Sequence, residues 1–405
     1  MYAAGVTCSD CHNAHSLKQR GTGNNVCGHC HLPLTYDTPA HHHHKQGTDA
    51  ARCASCHMRT TTYMVVDPRY DHSFRVPRVD YTLKHGIPNA CTTPCHADKS
   101  VKWSNDAVIK WYGPERKRGN DYVAALDAAR RGLPESEKHL RAAIMTPAFP
   151  PIARATALGL LGDYYSPASI DALQTGLTDP DALVRSAAAR TLASLEPPDR
   201  VRLGRTLLAD PVRLVRAWVA SSLAGTPPGL LTPDERAALA RATDEYIALE
   251  MAVAERPEAH LNLSSLYLRQ GRPREAEAAL QNALRLDPRN VPARVNLADV
   301  YRSEGREADG EKLLAEAVRL DPTAGEAAHA LGLLYVRQGR RDEAMALLER
   351  AYRQLPGIPR YGYVYAVALH DAGSVEKAIA VLTAVHKARP SDVDTIAASR
   401  GGTSV

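Results

Sequence analysis

Two residue types are missing from long parts of this sequence. Cysteine does not occur after Cys95, and glutamate does not occur before residue 100. No run of about 20 apolar residues is present, so the sequence predicts no membrane-spanning helix. The net charge of +5 is small for 405 residues and forms no basic stripe, so we expect no nucleic-acid partner.

Several catalytic signatures are also absent. After residue 100 there is no glycine-rich phosphate loop, no G-x-S-x-G motif and no acidic cluster at metal-binding spacing. The Lys, Arg and Glu side chains of this half are expected to cover solvated helix faces. The opening MYAAGVTCSD lacks the basic residues and apolar core of a signal peptide. Taken alone, this start predicts a cytoplasmic chain with reduced thiols.

The composition changes near residue 100. All eight cysteines and twelve of the seventeen histidines precede residue 97, whereas the rest of the chain is rich in Ala, Leu, Arg and Glu. A chain of 405 residues is long enough for two or three domains. We therefore predict two regions of different construction.

The cysteines form four close pairs. Two residues separate the members of the first three pairs, and three residues separate the members of the fourth. The first two pairs match the spacing of a four-cysteine zinc ribbon, so cysteine spacing alone leaves zinc open. The pairs are Cys8/Cys11, Cys27/Cys30, Cys53/Cys56 and Cys91/Cys95.

A histidine directly follows each pair. Zinc does not require this residue, whereas C-x-x-C-H is the attachment signature of c-type haem. The thiols form thioethers with the haem vinyl groups, and the adjacent imidazole becomes the proximal iron ligand. The sequence therefore predicts four covalently bound c-type haems, although the fourth motif, CTTPCH, is one residue longer. The proximal histidines are His12, His31, His57 and His96.

Other histidines are candidates for the distal iron ligands. One or two members of the run HHHH at residues 41–44 are expected to bind iron, and the alternative is a solvated loop. The spare histidines are numerous enough for all four irons, which favours low-potential electron transfer over catalysis. The distal candidates are His15, His41, His44 and His72, with His85 as a further candidate.

From Pro257 onward the sequence repeats every 34 residues, which is the period and pattern of tetratricopeptide repeats. The glycine ends the first helix of each repeat, and the proline closes the second. The recurring residues are Pro288, Pro322, Pro356 and Pro390; Gly271, Gly305, Gly339 and Gly373; Tyr267, Tyr301 and Tyr335; Ala276, Gly310, Ala344 and Ala378; and Leu280, Leu314, Leu348 and Leu382.

A second period, of 31 residues, precedes the first. Its units resemble HEAT-type helix pairs, although the period is shorter than usual, and a generic helical bundle is the alternative. Stacked helix pairs form a concave face that binds peptides or partner proteins. The recurring residues are Arg154, Arg185 and Arg216, and Leu161, Leu192 and Leu223.

The predicted fold is mainly α. A haem-packed cytochrome c domain with little regular structure precedes an α-solenoid, and the haems are expected to form the interior of that domain. The predicted boundaries are 1–110 for the tetrahaem domain, 111–228 for HEAT-like repeats, 229–256 for a capping helix, 257–390 for four tetratricopeptide repeats and 391–405 for a flexible tail.

The chain resembles bacterial multihaem c-type cytochromes that are fused to tetratricopeptide repeats and whose haem domain is related to pentahaem nitrite reductases and octahaem hydroxylamine oxidoreductases. The resemblance implies largely bis-histidine haems that transfer electrons in the periplasm or outside the cell. It supports proximal roles for the motif histidines and distal roles for His15, His72 and part of 41–44. The stretches that carry it are MYAAGVTCSDCHNAHS, TPAHHHH, CASCHM, DHSFRVPR and PNACTTPCHADKS.

Members of this family have a signal peptide and a further haem motif upstream. We therefore expect a truncated start and a periplasmic or otherwise extracytoplasmic protein. The catalytic haem of the nitrite reductases uses C-x-x-C-K, which does not occur here. The predicted function is electron transfer, with the solenoid docking redox partner proteins. The alternatives are a haem-dependent reductase or oxidase of small nitrogen or sulfur compounds, and a zinc-binding tetratricopeptide scaffold.

Overall fold

The computed structural model describes residues 4–93, 95–114 and 121–388, and the chain divides into two units, Met1–Gly119 and Asn120–Val405. The starting Met1, the final repeat proline at 390 and the predicted tail 391–405 lie outside the described residues. Within the described ranges, no helix is long and apolar enough to cross a membrane.

The first unit is built from short elements. Its two strands, β1 (Thr60–Tyr63) and β2 (Asp67–Tyr70), form an antiparallel hairpin. One longer helix, at residues 101–112, also belongs to this unit, so the division lies beyond the predicted boundary at residue 110. The helices are α1 (Cys8–Cys11), α2 (Asn25–Gly28), α3 (Pro33–Tyr36), α4 (Pro39–His42), α5 (Cys53–His57), α6 (Val79–His85) and α7 (Val101–Tyr112).

The first unit has almost no apolar core of its own. Among its described residues only Ala51, Val79 and Val108 are buried apolar side chains, whereas sixteen large apolar side chains are exposed. A segment of this length with so little buried apolar surface cannot offset its conformational entropy by side-chain packing alone. The unit therefore requires another source of stability.

The second unit consists of packed helices in two arrays. The first array contains α8 (Val123–Arg130), α9 (Ser136–Ile144), α10 (Pro151–Leu161), α11 (Ile170–Leu177), α12 (Ala182–Thr191), α13 (Pro197–Gly204), α14 (Arg213–Leu223) and α15 (Pro233–Met251). The second array contains the helix pairs α16 (Pro257–Arg269) and α17 (Pro273–Leu286), α18 (Val291–Ser303) and α19 (Glu307–Leu320), α20 (Gly325–Arg337) and α21 (Arg341–Gln354), and α22 (Pro359–Asp371) and α23 (Val375–Ala388).

Leucines that recur in the sequence form the core of both arrays. Most are completely inaccessible to solvent, and the small residues that share their period allow the paired helices to approach closely. At Gly310 an added Cβ would lie 3.2 Å from the carbonyl oxygen of Ala298 on the facing helix. The fully buried leucines are Leu161, Leu192, Leu223, Leu280 and Leu348.

Arginines connect successive loops of the first array. Arg154 Nη2 lies 2.9 Å from Asp179 Oδ2, and Arg185 Nε lies 2.7 Å from Asp210 Oδ2. Arg154 also donates to the carbonyl of Phe149, in the loop before its own helix, at 2.6 Å. The 31-residue period is therefore the spacing of a buried ion-pair ladder. The expectation of solvated faces is wrong for these arginines, because the periodicity did not reveal their acidic partners.

Each repeat of the second array ends its first helix in the same way. The four recurring glycines have φ between 68° and 78°, the left-handed conformation that favours glycine. The next residue, for example Arg306, donates its amide to the carbonyl of Tyr301 at 2.8 Å and places its guanidinium 3.8 Å from that ring. It also pairs with Glu277 of the preceding repeat at 3.1 Å. These contacts join neighbouring repeats.

The substitution Arg154→Met should destabilise the second unit strongly. It would leave the Asp179 carboxylate, 8% exposed, without its cation, which costs about 3–5 kcal/mol in the free energy of unfolding. Arg202→Met is the matched control, because its pair with Asp199 is half exposed and contributes under about 1 kcal/mol. Urea unfolding followed by helical circular dichroism measures both, and equal losses would contradict the prediction.

We expect the second array to lose folding stability in acid, because the buried side chain of His329 is neutral in the folded protein. Its ring stacks on Tyr361 with centroids 4.3 Å apart, and burial, followed by the charge of Arg360, lowers its pKa from 6.5 to about 4. The unfolded chain therefore binds more protons between these values, so stability falls as pH drops through this window. His329→Phe should reduce this loss, measured as the change in urea midpoint between neutral pH and about pH 5. The exposed His370→Phe should leave it unchanged.

Candidate functional site

Each cysteine motif is closed by a backbone hydrogen bond from its histidine or from a neighbouring residue, and the first three motifs contain a short helix. The His12 amide donates to the carbonyl of Cys8 at 2.9 Å, and the motif of His31 closes in the same way. In the longer fourth motif, the His96 amide reaches back to the carbonyl of Cys91, also at 2.9 Å. The fourth motif is therefore closed by a hydrogen bond between its histidine and its first cysteine, as the first two motifs are.

Three motif histidines face a histidine from elsewhere in the unit. In each pair the ring centroids are 6.2 Å apart and the ring planes are inclined by 11° to 38°. A metal–imidazole bond is about 2 Å long, so two imidazoles on opposite sides of one ion have ring centres roughly 6 Å apart. The spacing fits two imidazoles that share one metal ion. The pairs are His12–His72, His57–His41 and His96–His44.

Backbone carbonyls hold four of these six rings. A carbonyl only accepts hydrogen bonds, so a ring whose Nδ1 contacts one carries its proton there and keeps the Nε2 lone pair for a metal. The neutral imidazole is thus oriented before any ligand binds. The Nδ1–carbonyl contacts join His12 to Leu17 at 2.8 Å, His57 to Arg75 at 2.9 Å, His72 to Tyr70 at 2.9 Å and His44 to His42 at 2.5 Å.

The histidine run at residues 41–44 contributes to two of the pairs. The helix α4 ends within the run, and the next residue, His43, has φ of 55°, which turns the chain. The first and last members of the run consequently face different motifs. Of the two others, His43 stacks on Trp111 with centroids 4.3 Å apart, and His42 bonds to Gln46 at 3.0 Å.

Two predicted distal histidines lie elsewhere. His15 is exposed and makes no ring contact with a motif histidine within the described ranges. His85 packs edge-on against Tyr81 with centroids 5.9 Å apart. The fourth motif histidine, His31, contacts Tyr36 edge-on at 5.6 Å. The number of spare histidines predicted a partner for every motif, but among the described residues the fold places one opposite only three, because number does not determine position.

Aromatic residues of α7 flank the pair formed by His44 and His96. The Trp103 ring lies 5.0 Å from that of His96, and the Trp111 ring lies 6.5 Å from that of His44. The same face of α7 lines a cleft of about 350 Å³. Neither tryptophan was predicted as a site residue, although their spacing of eight residues places them on one helix face.

Asn24, which precedes the second motif, forms a hydrogen bond to the third motif. Its Oδ1 accepts the amide of Cys53 at 2.8 Å, while its Nδ2 donates to Asp37 Oδ1 at 2.9 Å. A pocket of about 30 Å³ is lined by residues of both motifs, including Cys27, His31 and Cys53. The two motifs are therefore direct neighbours.

Four of the eight thiols are weaker acids than an ordinary cysteine thiol. All eight are free of disulfides. Burial raises the pKa of Cys11, Cys56 and Cys91, and burial together with neighbouring Cys27 raises the pKa of Cys53 to about 11. A reactive dithiol requires a lowered pKa. Among the described residues, no group of three or more His, Cys, Asp or Glu side chains is placed to hold a metal ion by itself.

Comparison with protein families identifies the repeats of the second unit. The sequence profile for HEAT repeats matches residues 126–224, and profiles for the tetratricopeptide repeat match residues 267–334 and 329–393. The two predicted kinds of helical repeat are thereby confirmed. No protein of curated function matches the chain.

Several solved structures are similar to part of the chain. TTC0263, a thermophilic TPR protein from Thermus thermophilus, is 19% identical, with 52% of this chain and 100% of that one covered and a TM-score of 0.36. MamA is 20% identical over 40% of this chain and 96% of its own, with a TM-score of 0.32. YrrB, a TPR protein with an unusual peptide-binding site, is 20% identical over 47% and 92%, with a TM-score of 0.30.

Proposed function

We propose that the first unit binds four c-type haems and that the protein transfers electrons to or from a partner protein held by its helical repeats. The motif cysteines would attach the haems, and the motif histidines would be the proximal ligands. The observation that carries this proposal is the set of three facing histidine pairs. Each pair joins the residue that follows a cysteine motif to a distant histidine at 6.2 Å.

The missing apolar core supports the same proposal. Haem is a large apolar group, so its attachment would supply buried apolar surface that the side chains of the first unit do not. Exposed aromatic residues such as Trp103 and Trp111 lie beside the pair of His44 and His96, where a porphyrin would cover them. The residues present therefore fit the group in both donor set and environment.

When bound, c-type haem supplies one-electron redox chemistry. The side chains of this protein would determine its behaviour. At the three paired sites, two imidazoles on one iron would favour a low potential, and the Nδ1–carbonyl bonds would strengthen the imidazoles as ligands. Burial, followed by the neighbouring His57, lowers the pKa of His41, which keeps this ring neutral and able to bind metal at neutral pH.

The close arrangement of the motifs suits electron transfer, because the rate of tunnelling falls steeply with distance. His41 and His44 are three residues apart and face the third and fourth motifs. Asn24 joins the second motif to the third. The segment at 70–75 reaches the first motif through His72 and the third through the carbonyl of Arg75. Every motif thus shares a structural element with another.

The proposal extends to location and partners. Thioether attachment follows export, so we place the mature protein in the periplasm or elsewhere outside the cytoplasm. Tetratricopeptide and HEAT repeats stack helix pairs into a concave face that binds peptides or proteins. Redox partner proteins are the proposed occupants of that face.

Zinc is the alternative cofactor, because the first two cysteine pairs have the spacing of a zinc ribbon. A structural zinc site needs four converging ligands. The described imidazoles instead face each other in pairs, with ring centroids 6.2 Å apart, a spacing that fits one metal ion between two rings. This arrangement favours haem.

Export of the chain, behind an added signal peptide, into a host with haem-maturation machinery should give four haems per chain. The measurements are the pyridine haemochrome and the mass of the intact protein. The same chain retained in the cytoplasm is the control and should carry no covalent haem. A colourless exported protein that contains zinc would refute the proposal.

His72→Met should raise the reduction potential of one of the four haems, because thioether ligation favours ferrous iron. Axial ligands set haem potentials over about 0.8 V, so we expect a shift on the order of 0.1 V in a spectroelectrochemical titration. His15→Met is the matched control and should leave all four potentials unchanged, since His15 faces no motif histidine among the described residues. The opposite result would reverse the ligand assignment.

A further inference from the structure

The second motif differs from the other three in exposure. Its histidine, His31, is exposed, whereas His12, His57 and His96 are half-buried. Its second cysteine, Cys30, is exposed too, a feature that it shares with Cys95 of the fourth motif. The chain around it is open as well, with Leu32 and Leu34 being 71% and 94% exposed.

The second motif also differs in what its histidine faces. Among the described residues, the three distal histidines meet the first, third and fourth motifs. The ring that contacts His31 belongs to Tyr36, at 5.6 Å and an interplanar angle of 82°. Tyr36 makes a similar contact with His41, at 5.4 Å and 88°. Its ring therefore acts as a spacer between two imidazoles.

We propose that the iron held by His31 keeps an open distal position in this chain and binds a small neutral ligand, such as carbon monoxide or nitric oxide, in its reduced state. This inference rests on the proposed function, since it requires haem at the second motif. The ligand and polarity around a haem iron decide whether it binds small molecules or only transfers electrons. The other three sites, each with two imidazoles, have no position for such a ligand.

The surroundings of the second motif favour a neutral ligand. Asp37 and Asn24 line the same pocket as His31. Asp37 Oδ1 accepts hydrogen bonds from Asn24 at 2.9 Å and from Gln46 at 3.0 Å, which hold the carboxylate in place. A fixed negative charge repels anions by Coulomb's law. Neutral diatomic molecules escape this penalty.

The position of the second motif would also supply it with electrons. Asn24 bonds to the amide of Cys53, the first residue of the third motif, at 2.8 Å. Tyr36 contacts His41, which faces His57 of the third motif. Electrons that pass through the three paired sites would therefore reach the open site through its direct neighbour. In this arrangement the His31 site would bind the small molecule, and the three paired sites would supply its electrons.

Titration of the reduced, exported holoprotein with carbon monoxide tests the inference. We expect one carbon monoxide per chain, equal to one quarter of the haems, from the change in the Soret band. The oxidised protein should show one high-spin haem and three low-spin haems by electron paramagnetic resonance. Four low-spin haems and no bound carbon monoxide would overturn the inference while leaving the proposed function intact. Absence of covalent haem would instead refute the proposed function.

Paired cysteine variants assign the open position to one motif. The double variant Cys27→Ser with Cys30→Ser should carry three haems and bind no carbon monoxide. Its matched control, Cys8→Ser with Cys11→Ser, should also carry three haems but still bind one carbon monoxide. The reverse pattern would overturn the assignment. If either variant fails to accumulate, the stoichiometry of the unmodified protein still decides whether an open position exists.

A third variant is a positive control, which tests whether carbon monoxide binds to a haem iron that has lost its distal histidine. His72→Ala would remove the ring that faces His12 at 6.2 Å. Carbon monoxide binding should double from one to two per chain, with the haem count unchanged at four. An unchanged stoichiometry of one would mean that the site already open is that of His12, which would overturn the assignment to His31.

Discussion

The facing imidazole pairs are the constraint on which the first unit depends. This unit buries three apolar side chains among its described residues, so side-chain packing does not account for its order. What it does arrange closely is a set of donors: thiols one turn apart, the histidine that ends each turn, and three distant histidines held at 6.2 Å. Under the proposed function, the haems complete the interior, and the polypeptide mainly positions their ligands.

The second unit is stabilised in a different way. Its leucines are fully buried, its arginines pair with acids one loop away, and its glycines end helices in the left-handed conformation. The ion pairs join a repeat to its neighbour, so each repeat stabilises the next. The second unit is therefore stabilised by apolar and ionic contacts, whereas the first would, under the proposed function, depend on its bound haems.

The unequal motifs bear on whether the protein is an electron carrier or a catalyst. Three motif histidines are half-buried and face another imidazole, while His31 is exposed and contacts Tyr36. Under the proposed function, electron transfer and small-molecule binding would then occur in one chain, at different irons. The number of spare histidines predicted pure electron transfer, but that number does not determine which motif histidines they face.

The repeats and the grouping of each histidine with its cysteine pair were predictable from the sequence because both depend on residues that are close in the chain. The 34-residue glycine and proline series recurs because each repeat uses the same helix ends, and each motif histidine adjoins the cysteines that define it. The distal pairs were not predictable in this way. His72 meets His12 through a fold that joins distant segments, and the left-handed turn at His43 separates His41 from His44. Contacts between residues that are distant in the chain produce no periodic pattern in the sequence. Only the tertiary structure therefore showed which histidine faces which motif.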